Sequence, residues 1–432
     1  MITQNQIVAG CKALMDGWSG MLDIVVTKAK GAKLWDSNGK EYIDCTSQAF
    51  ALNVGALNPQ VVEAVKREID RNSHVAASLY SVPLLLLSKK LTEISPADLN
   101  KVNFCLEGSL AVEGAIKLAM KNRPESKYLI TFEHGYHGRS FFTMAASWED
   151  PDNPFTQSLD NIIKVPEAYC YRCKWQLEYP SCELKCAQNL EETIESKANE
   201  GVIAVLMEPV QGNGGQISFP PAFHKKVREI CAKHDVILIW DEVQTAFGRV
   251  GKMFAAQLYD VLPDILVFGK AVGGGYPLAG FLARESLKEF GLGEHSFTFG
   301  YFPLSLASSL ATIQILEEGD LLERCNHLNE YITSRLMKMQ EKYETIGEVR
   351  GPGLAIGIEM VKNKESKEPA VEETNRILEM GLEKGILFGT SLYGGKGNVI
   401  KIKPPLVITD EEVERVLSIF EQCLDRVSRE FG

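Results

Sequence analysis

Between residues 60 and 320 amphipathic stretches alternate with short apolar runs, the rhythm of an α/β sheet with helices on its faces. VVEAVKREIDRN predicts a helix, KVNFCL a strand, and AVEGAIKLAMKN a helix entered through a turn at Glu107-Gly108-Ser109. YLITFEHGYHG, VIAVLMEP, VILIWDEV and ILVFGKAVGGG predict strands of a mainly parallel sheet, each running straight into polar residues or glycine. Ligands of open α/β sheets bind beyond the carboxyl ends of the strands, so these four ends are where chemistry is expected. After about residue 310 the texture changes to long helical periodicity, then GEVRGPGLAIGIEMV, VIKIKPPLVI and a last helix from Asp410 to Glu430. That change predicts a smaller α+β domain at 316–432, a large domain at 56–315, and an N-terminal segment, 1–55, joining the small domain. Within that segment VVTKAKGAKLWDSNGKEYIDC predicts a hairpin turning at Ser37-Asn38-Gly39, where Asn-Gly reaches positive φ with little strain.

Composition narrows the classes of function. With 45% hydrophobic and 24% charged residues among 432, the chain can bury a large core, and a net charge of -11 argues against a general nucleic-acid binder. No apolar run reaches the roughly 18 residues of a membrane span. The N-terminal MITQNQIVAGCKALMDGW lacks a basic stretch followed by an apolar one, so a cytoplasmic protein without a membrane partner is expected. Ten cysteines are spread from Cys11 to Cys423, and reduced thiols are expected for them.

Four features at the strand ends carry possible chemistry. Asp241 ends an apolar strand, where a desolvated carboxylate needs a cationic partner; the plain alternative is a helix cap or local ion pair. Lys270 ends the next one, before Ala-Val-Gly-Gly-Gly-Tyr-Pro. Such a lysine is usually a snorkelling surface residue, but burial would free its amine for Schiff-base chemistry. Gly108-Ser109 opens a helix whose free N–H groups suit a phosphate, although Ser is also an ordinary N-cap. Tyr136 could stack on a flat ring or simply belong to the core. Together, phosphate cradle, flat aromatic, acid and amine are the parts of a pyridoxal phosphate site.

These residues lie in segments that resemble the class III aminotransferases, pyridoxal 5'-phosphate enzymes of fold type I, over nearly the whole chain. The resemblance is carried by GAKLWDSNGKEYID, EGSLAVEGAIKLA, GYHGRS, MEPVQGNGG, IWDEVQTAFGRVGKMFA, PDILVFGKAVGGGYPLAG, TFGYFPLSLAS, VRGPGLAIGIEM and PPLVITDEEV. It implies that Lys270 forms the Schiff base and shuttles the proton, and that Asp241 keeps the pyridine nitrogen protonated. Tyr136 and Val243 would take the two ring faces, Gln244 the ring hydroxyl, Glu208 the polar network behind it, and Gly108 and Ser109 the phosphate. Thr298 would reach the phosphate of a neighbouring subunit, which implies a homodimer with shared active sites. The reaction implied moves an amino group between an amine or amino acid and an oxo compound. A racemase or epimerase on the same fold is the nearest alternative.

The departures from the family pattern bear on cofactor and substrate. Glu107 and Leu110 replace the ends of the usual phosphate motif, and an anion beside a phosphate must point away. Lys401 stands where an arginine commonly grips a substrate carboxylate, and Asn213 where an acid commonly draws that arginine aside. A lysine is a mobile point charge rather than a two-pronged clamp, so weaker carboxylate binding is expected, with Tyr301 and Phe302 lining the entrance for an apolar or hydroxylated donor.

Cys170, Cys173, Cys182 and Cys186 are the remaining signal. Their x2 spacing suits zinc, but the x8 interval is shorter than common zinc ribbons use, and Trp175 and Tyr179 suit packing, so a packed loop without metal is expected. His134, His137 and His295 lack ligand spacing and are read as loop or pocket histidines. A non-catalytic scaffold with a four-cysteine zinc loop is the alternative from another class. Lys270, Asp241, Gln244 and Thr298 together speak against it, because such a scaffold has no need of a buried amine and acid.

Overall fold

Three N-terminal strands, β1 (Val26–Lys30), β2 (Lys33–Asp36) and β3 (Glu41–Asp44), form an antiparallel meander. The β2–β3 turn passes through Ser37-Asn38-Gly39, with Gly39 at φ 81 and Asp36 Oδ1 accepting from the N–H groups of Asn38 (2.8 Å) and Lys40 (2.9 Å). The computed structural model describes residues 24–148, 159–391 and 395–431, with Gly10 and Leu22 besides. Cys11 and most of the first 23 positions of the expected N-terminal segment lie outside the described residues.

The apolar runs pair into one seven-stranded sheet. Its strands are β4 (Lys101–Cys105), β5 (Tyr128–Phe132), β6 (Ile162–Val165) and β7 (Val202–Met207), then, after a short hairpin of β8 (Val210–Gln211) and β9 (Ile217–Ser218), β10 (Ile237–Asp241), β11 (Ile265–Phe268) and β12 (Ala279–Ala283). They lie in the order β4-β12-β11-β10-β7-β5-β6. Neighbours from β11 to β6 are parallel, and β12 runs antiparallel to both β11 and β4.

Both faces of this sheet are buried, which is why its strands are apolar at odd and even positions alike. On one face Ile237 and Ile239 share a core with Ala111, Val112, Ala115 and Ala119 of the helix Gly108–Asn122. Small residues at helical spacing let that helix lie close to the strands. On the other face Leu238 and Trp240 share a core with Phe223 and Val227 of the helix Pro221–Lys233. Each fully buried Leu or Ile side chain contributes about 1.5–3 kcal/mol. β4 runs in the same direction as β10 and β11, so the helix that follows it begins at the edge where those strands end.

The C-terminal part supplies five strands, β13 (Ile346–Arg350), β14 (Ile356–Met360), β15 (Ile386–Leu387), β16 (Gly389–Thr390) and β17 (Val399–Ile402), four of which build a smaller antiparallel sheet. β13, β14, β17 and β16 are neighbours in that order, while β15 pairs in parallel with β3. The N-terminal strands and the C-terminal region are therefore stitched together. A capping box of Thr409 and Glu412 starts the last helix, Asp410–Glu430. The architecture is α/β, a mainly parallel sheet flanked by helices beside a smaller α+β unit.

Candidate active site

Two acids and an amine gather at the carboxyl ends of β7, β10 and β11. Asp241, the last residue of β10, is 4% exposed. Its Oδ2 lies 2.9 Å from His137 Nδ1, and its Oδ1 accepts from the Val243 N–H at 3.1 Å. Glu208, one residue past β7, is equally buried and accepts from the Tyr136 N–H at 2.8 Å and the Gly212 N–H at 3.0 Å. Burial pushes its carboxyl up to about 7, with His137 opposing the rise and Asp241 adding to it. Lys270 stands two residues past β11 with φ 48, a left-handed conformation that costs a side-chain-bearing residue about 1–3 kcal/mol. Desolvation lowers its amine below the ordinary lysine range, against Asp241, Glu208 and Glu107, which hold it up. This amine is more readily deprotonated than an exposed lysine.

Glu242, the neighbour of Asp241, does structural work. It accepts from the N–H groups of Ala255 (2.6 Å) and Ala256 (2.9 Å), which start the helix Ala255–Tyr259, and from Thr245 Oγ1 at 3.1 Å.

The helix Gly108–Asn122 starts at the same edge with no side-chain cap, leaving first-turn N–H groups for an anion. A Cβ on Gly108 would come within 3.2 Å of Val243 Cγ1, so glycine lets the helix begin close against Val243. Glu107, at the N-cap, is exposed, and Ser109 Oγ accepts from the Arg139 N–H at 3.0 Å. Tyr136 stacks on Trp148, ring centroids 5.5 Å apart and planes at 26°, with the Arg139 guanidinium 5.8 Å from its ring. Gln244 donates to Asn213 Oδ1 at 3.3 Å, while its Oε1 is buried without a partner. An uncapped helix start, an orphaned amide oxygen, a desolvated amine and a buried carboxylate fit a phosphorylated pyridine aldehyde.

Lys401 belongs to β17 and is 4% exposed, its Nζ donating to the Gly212 carbonyl at 3.3 Å. Desolvation lowers its amine to about 7, with Glu208 opposing the shift and Lys270 adding to it. Lys403, one residue past the end of the strand, is also buried, with Nζ 3.7 Å from the Phe50 ring centroid. Gly389 on β16 makes room for both: a Cβ there would lie 3.1 Å from Lys403 Cε and 3.2 Å from Lys401 Cβ. Arg249, fully buried nearby, donates to the Leu354 and Pro404 carbonyls at 2.7 Å each.

Thr298 is exposed, and Tyr301 and Phe302 are half-buried at the start of the helix Pro303–Glu318. His134 Nδ1 pairs with Glu167 at 2.9 Å, and His295 packs against Phe290 and Phe297 with its ring lowered to about 4 by burial. Among the described residues the one group of His, Cys, Asp or Glu atoms at metal spacing is Glu191, Glu195 and His234. There Lys233 also pairs with Glu191 at 2.8 Å, an ordinary surface ion-pair cluster.

Sequence reasoning missed His137 as the partner of Asp241, Trp148 behind Tyr136, and Lys403 beside Lys401. Only the His137 signal was present, a second histidine within the glycine-flanked HGYHG.

Comparison with known proteins identifies the family and the fold. The class III aminotransferase family model matches residues 14–424. A leucine/methionine racemase of Thermococcus litoralis is 37% identical, covering 93% of this chain and 90% of that protein. An acetylornithine aminotransferase of Methanothermobacter thermautotrophicus is 35% identical, covering 92% of each. The crystal structure of a transaminase from the marine bacterium Virgibacillus superposes with a TM-score of 0.91 at 26% identity, covering 99% of this chain and all of that one.

Proposed function

Since this chain belongs to the class III aminotransferase family, whose members depend on pyridoxal 5'-phosphate, we propose that the carboxyl edge of β10 and β11 is its catalytic centre, with Lys270 and Asp241 as the catalytic residues. The enzyme moves an amino group between an amine or amino acid and an oxo compound. Bound pyridoxal 5'-phosphate supplies an electron sink for the substrate carbon that carries the amine. Lys270 holds the cofactor aldehyde and then, its pKa lowered by desolvation, takes and returns the proton at that carbon. Asp241 holds a proton on the pyridine nitrogen, and His137 fixes the carboxylate that does so. Gly108, Ser109 and the uncapped helix N–H groups take the phosphate, Val243 and Tyr136 bound the ring, and Gln244, with an unpartnered buried oxygen, meets its hydroxyl while Glu208 ties down the backbone at Tyr136 and Gly212. Lys401 receives a substrate carboxylate, with Tyr301 and Phe302 lining the way in. The observation that carries this reading is Asp241 and Lys270 at the ends of adjacent parallel strands, beside an uncapped helix start.

A second reading, amino-acid racemisation, is favoured by the 37% identity to the leucine/methionine racemase. One experiment separates the two. Holoenzyme given a single L-amino acid and no oxo acid stops, as an aminotransferase, after about one amino group per site has been taken up. Continued conversion to the D-amino acid under those conditions would replace the aminotransferase reading with racemisation.

A homodimer is proposed from an exposed apolar surface. Leu79, Tyr80, Val82, Leu85, Leu86 and Phe299 are each at least half exposed, and Tyr80 lies close enough to Tyr301 to influence its hydroxyl. Thr298, exposed beside Phe299, would reach the neighbour's phosphate site. A monomeric mass by sedimentation of the holoenzyme would refute this. A cytoplasmic location is proposed because the nine described cysteines are all unpaired, as a reducing compartment keeps them; a secreted, disulfide-linked form would contradict it.

A further inference from the structure

Cys170, Cys173, Cys182 and Cys186 play no part in the site above, yet the chain brings all four to line one cavity of about 20 Å³, the room for a single water-sized body. They are widely different in local setting. Cys170 opens a short turn, Cys170–Arg172, Cys173 and Cys182 lie in loop, and Cys186 is the second residue of the helix Lys185–Ser196. Left-handed backbone at Gln176 (φ 56), Glu183 (φ 47) and Leu184 (φ 55) turns the loop back so that the late pair meets the early one. None of the four is in a disulfide. Packing alone, the expectation from the sequence, explains Trp175 and Leu184 in the cavity wall but gives no reason for four cysteines to line one small space.

We propose that these four cysteines bind one zinc ion as a tetrahedral thiolate site. Four sulfurs suit zinc, which takes closed sets of four cysteine thiolates in structural sites. The sulfurs stand wider apart than ligands do, since no three of them meet the 4.8 Å spacing that Glu191, Glu195 and His234 meet. Zinc–sulfur bonds of about 2.3 Å therefore require them to close in. The exposed Cys170 and the half-buried Cys173 and Cys182 can rotate toward Cys186, which the helix holds. Binding releases the thiol protons to solvent and involves no electron transfer.

The ion would act as a clip beside the active site. Tyr169, immediately before Cys170, and Arg172, immediately before Cys173, bind Glu359 on β14, and Glu359 pairs with Arg350, whose Nε donates to the Gly215 carbonyl at 3.0 Å. Gly215 lies in the loop whose Gly212 carbonyl holds Lys401. Fixing the cysteine loop thus fixes one attachment of the small sheet to the rim of the site.

The test is elemental analysis of full-length protein expressed with zinc and purified without chelator. About one zinc per chain is expected, kept in His234→Ala and lost in Cys173→Ser/Cys182→Ser. Should the double variant not fold, cobalt added to the zinc-depleted wild-type protein gives the same information: tetrahedral cobalt–thiolate absorption is expected. Metal-free protein whose four thiols all titrate, zinc that disappears with His234→Ala, cobalt spectra without thiolate bands, or disulfides among these cysteines on non-reducing peptide mapping would each overturn the proposal.

Discussion

The molecule holds desolvated amines on two sheets, and they differ in company. Lys270 sits in a left-handed turn at the end of the large sheet, with Asp241 and Glu208 as its nearest charges of consequence. Lys401 sits in regular strand in the small sheet, with Lys403 beside it, Lys270 adding to the lowering of its amine and Glu208 as the main opposing charge. Desolvation lowers both. Acidic surroundings suit an amine that must gain and lose a proton during a reaction, whereas cationic surroundings favour an arriving anion. The same residue type, desolvated in both places although Lys401 is the more deeply buried, is thereby suited to proton transfer in one place and to carboxylate recognition in the other.

The largest effect expected is from Lys270→Ala, which should leave a folded protein with no covalently held cofactor and essentially no turnover; normal activity would remove Lys270 from the centre. Asp241→Asn should lower kcat by roughly a hundredfold or more, about 2.7 kcal/mol in the barrier, while keeping some cofactor. Glu242→Gln, one residue away, should leave kcat near that of the wild type but reduce stability by about 1–3 kcal/mol in denaturant unfolding, because two helix-starting N–H groups lose their carboxylate. Equal losses of kcat in both variants would erase the distinction between the two acids.

A smaller and more selective effect is expected from Lys401→Ala: KM should rise roughly tenfold for donors with a carboxylate, the loss of one charge-assisted hydrogen bond, and stay level for amines without one. The pH dependence follows from its direction of shift. With its amine lowered from 10.5 to about 7, Lys401 is mostly charged below about pH 7 and mostly neutral above. KM for carboxylate-bearing donors should therefore increase as pH passes upward through 7, in the wild type but not in Lys401→Ala. A flat profile would place the carboxylate elsewhere.

Much of the large sheet was legible because its strands are short apolar runs that stop at a charged or glycine residue, as VILIWDEV stops at Asp241 and ILVFGK at Lys270. β12 was not, since Ala-Gly-Phe-Leu-Ala offers one bulky pair and its antiparallel direction depends on pairing with β11 and β4. The ends of β10 and β11 identified Asp241 and Lys270, but what surrounds them comes from distant contacts. His137 reaches Asp241 across 104 positions, and the room for Lys401 and Lys403 depends on Gly389 in another strand. No local periodicity encodes such partners. The four-cysteine spacing was legible too, but its convergence on one cavity depends on three left-handed residues that are not glycine.

Reduction of the holoenzyme with borohydride, followed by peptide mass mapping, tests the central contrast most directly, because it fixes the cofactor to whichever amine has condensed with it. The account predicts the pyridoxyl mass on the peptide containing Lys270 and on no peptide containing Lys401 or Lys403. Modification of Lys401 or Lys403 in its place would contradict it, and would make the small sheet the seat of the chemistry.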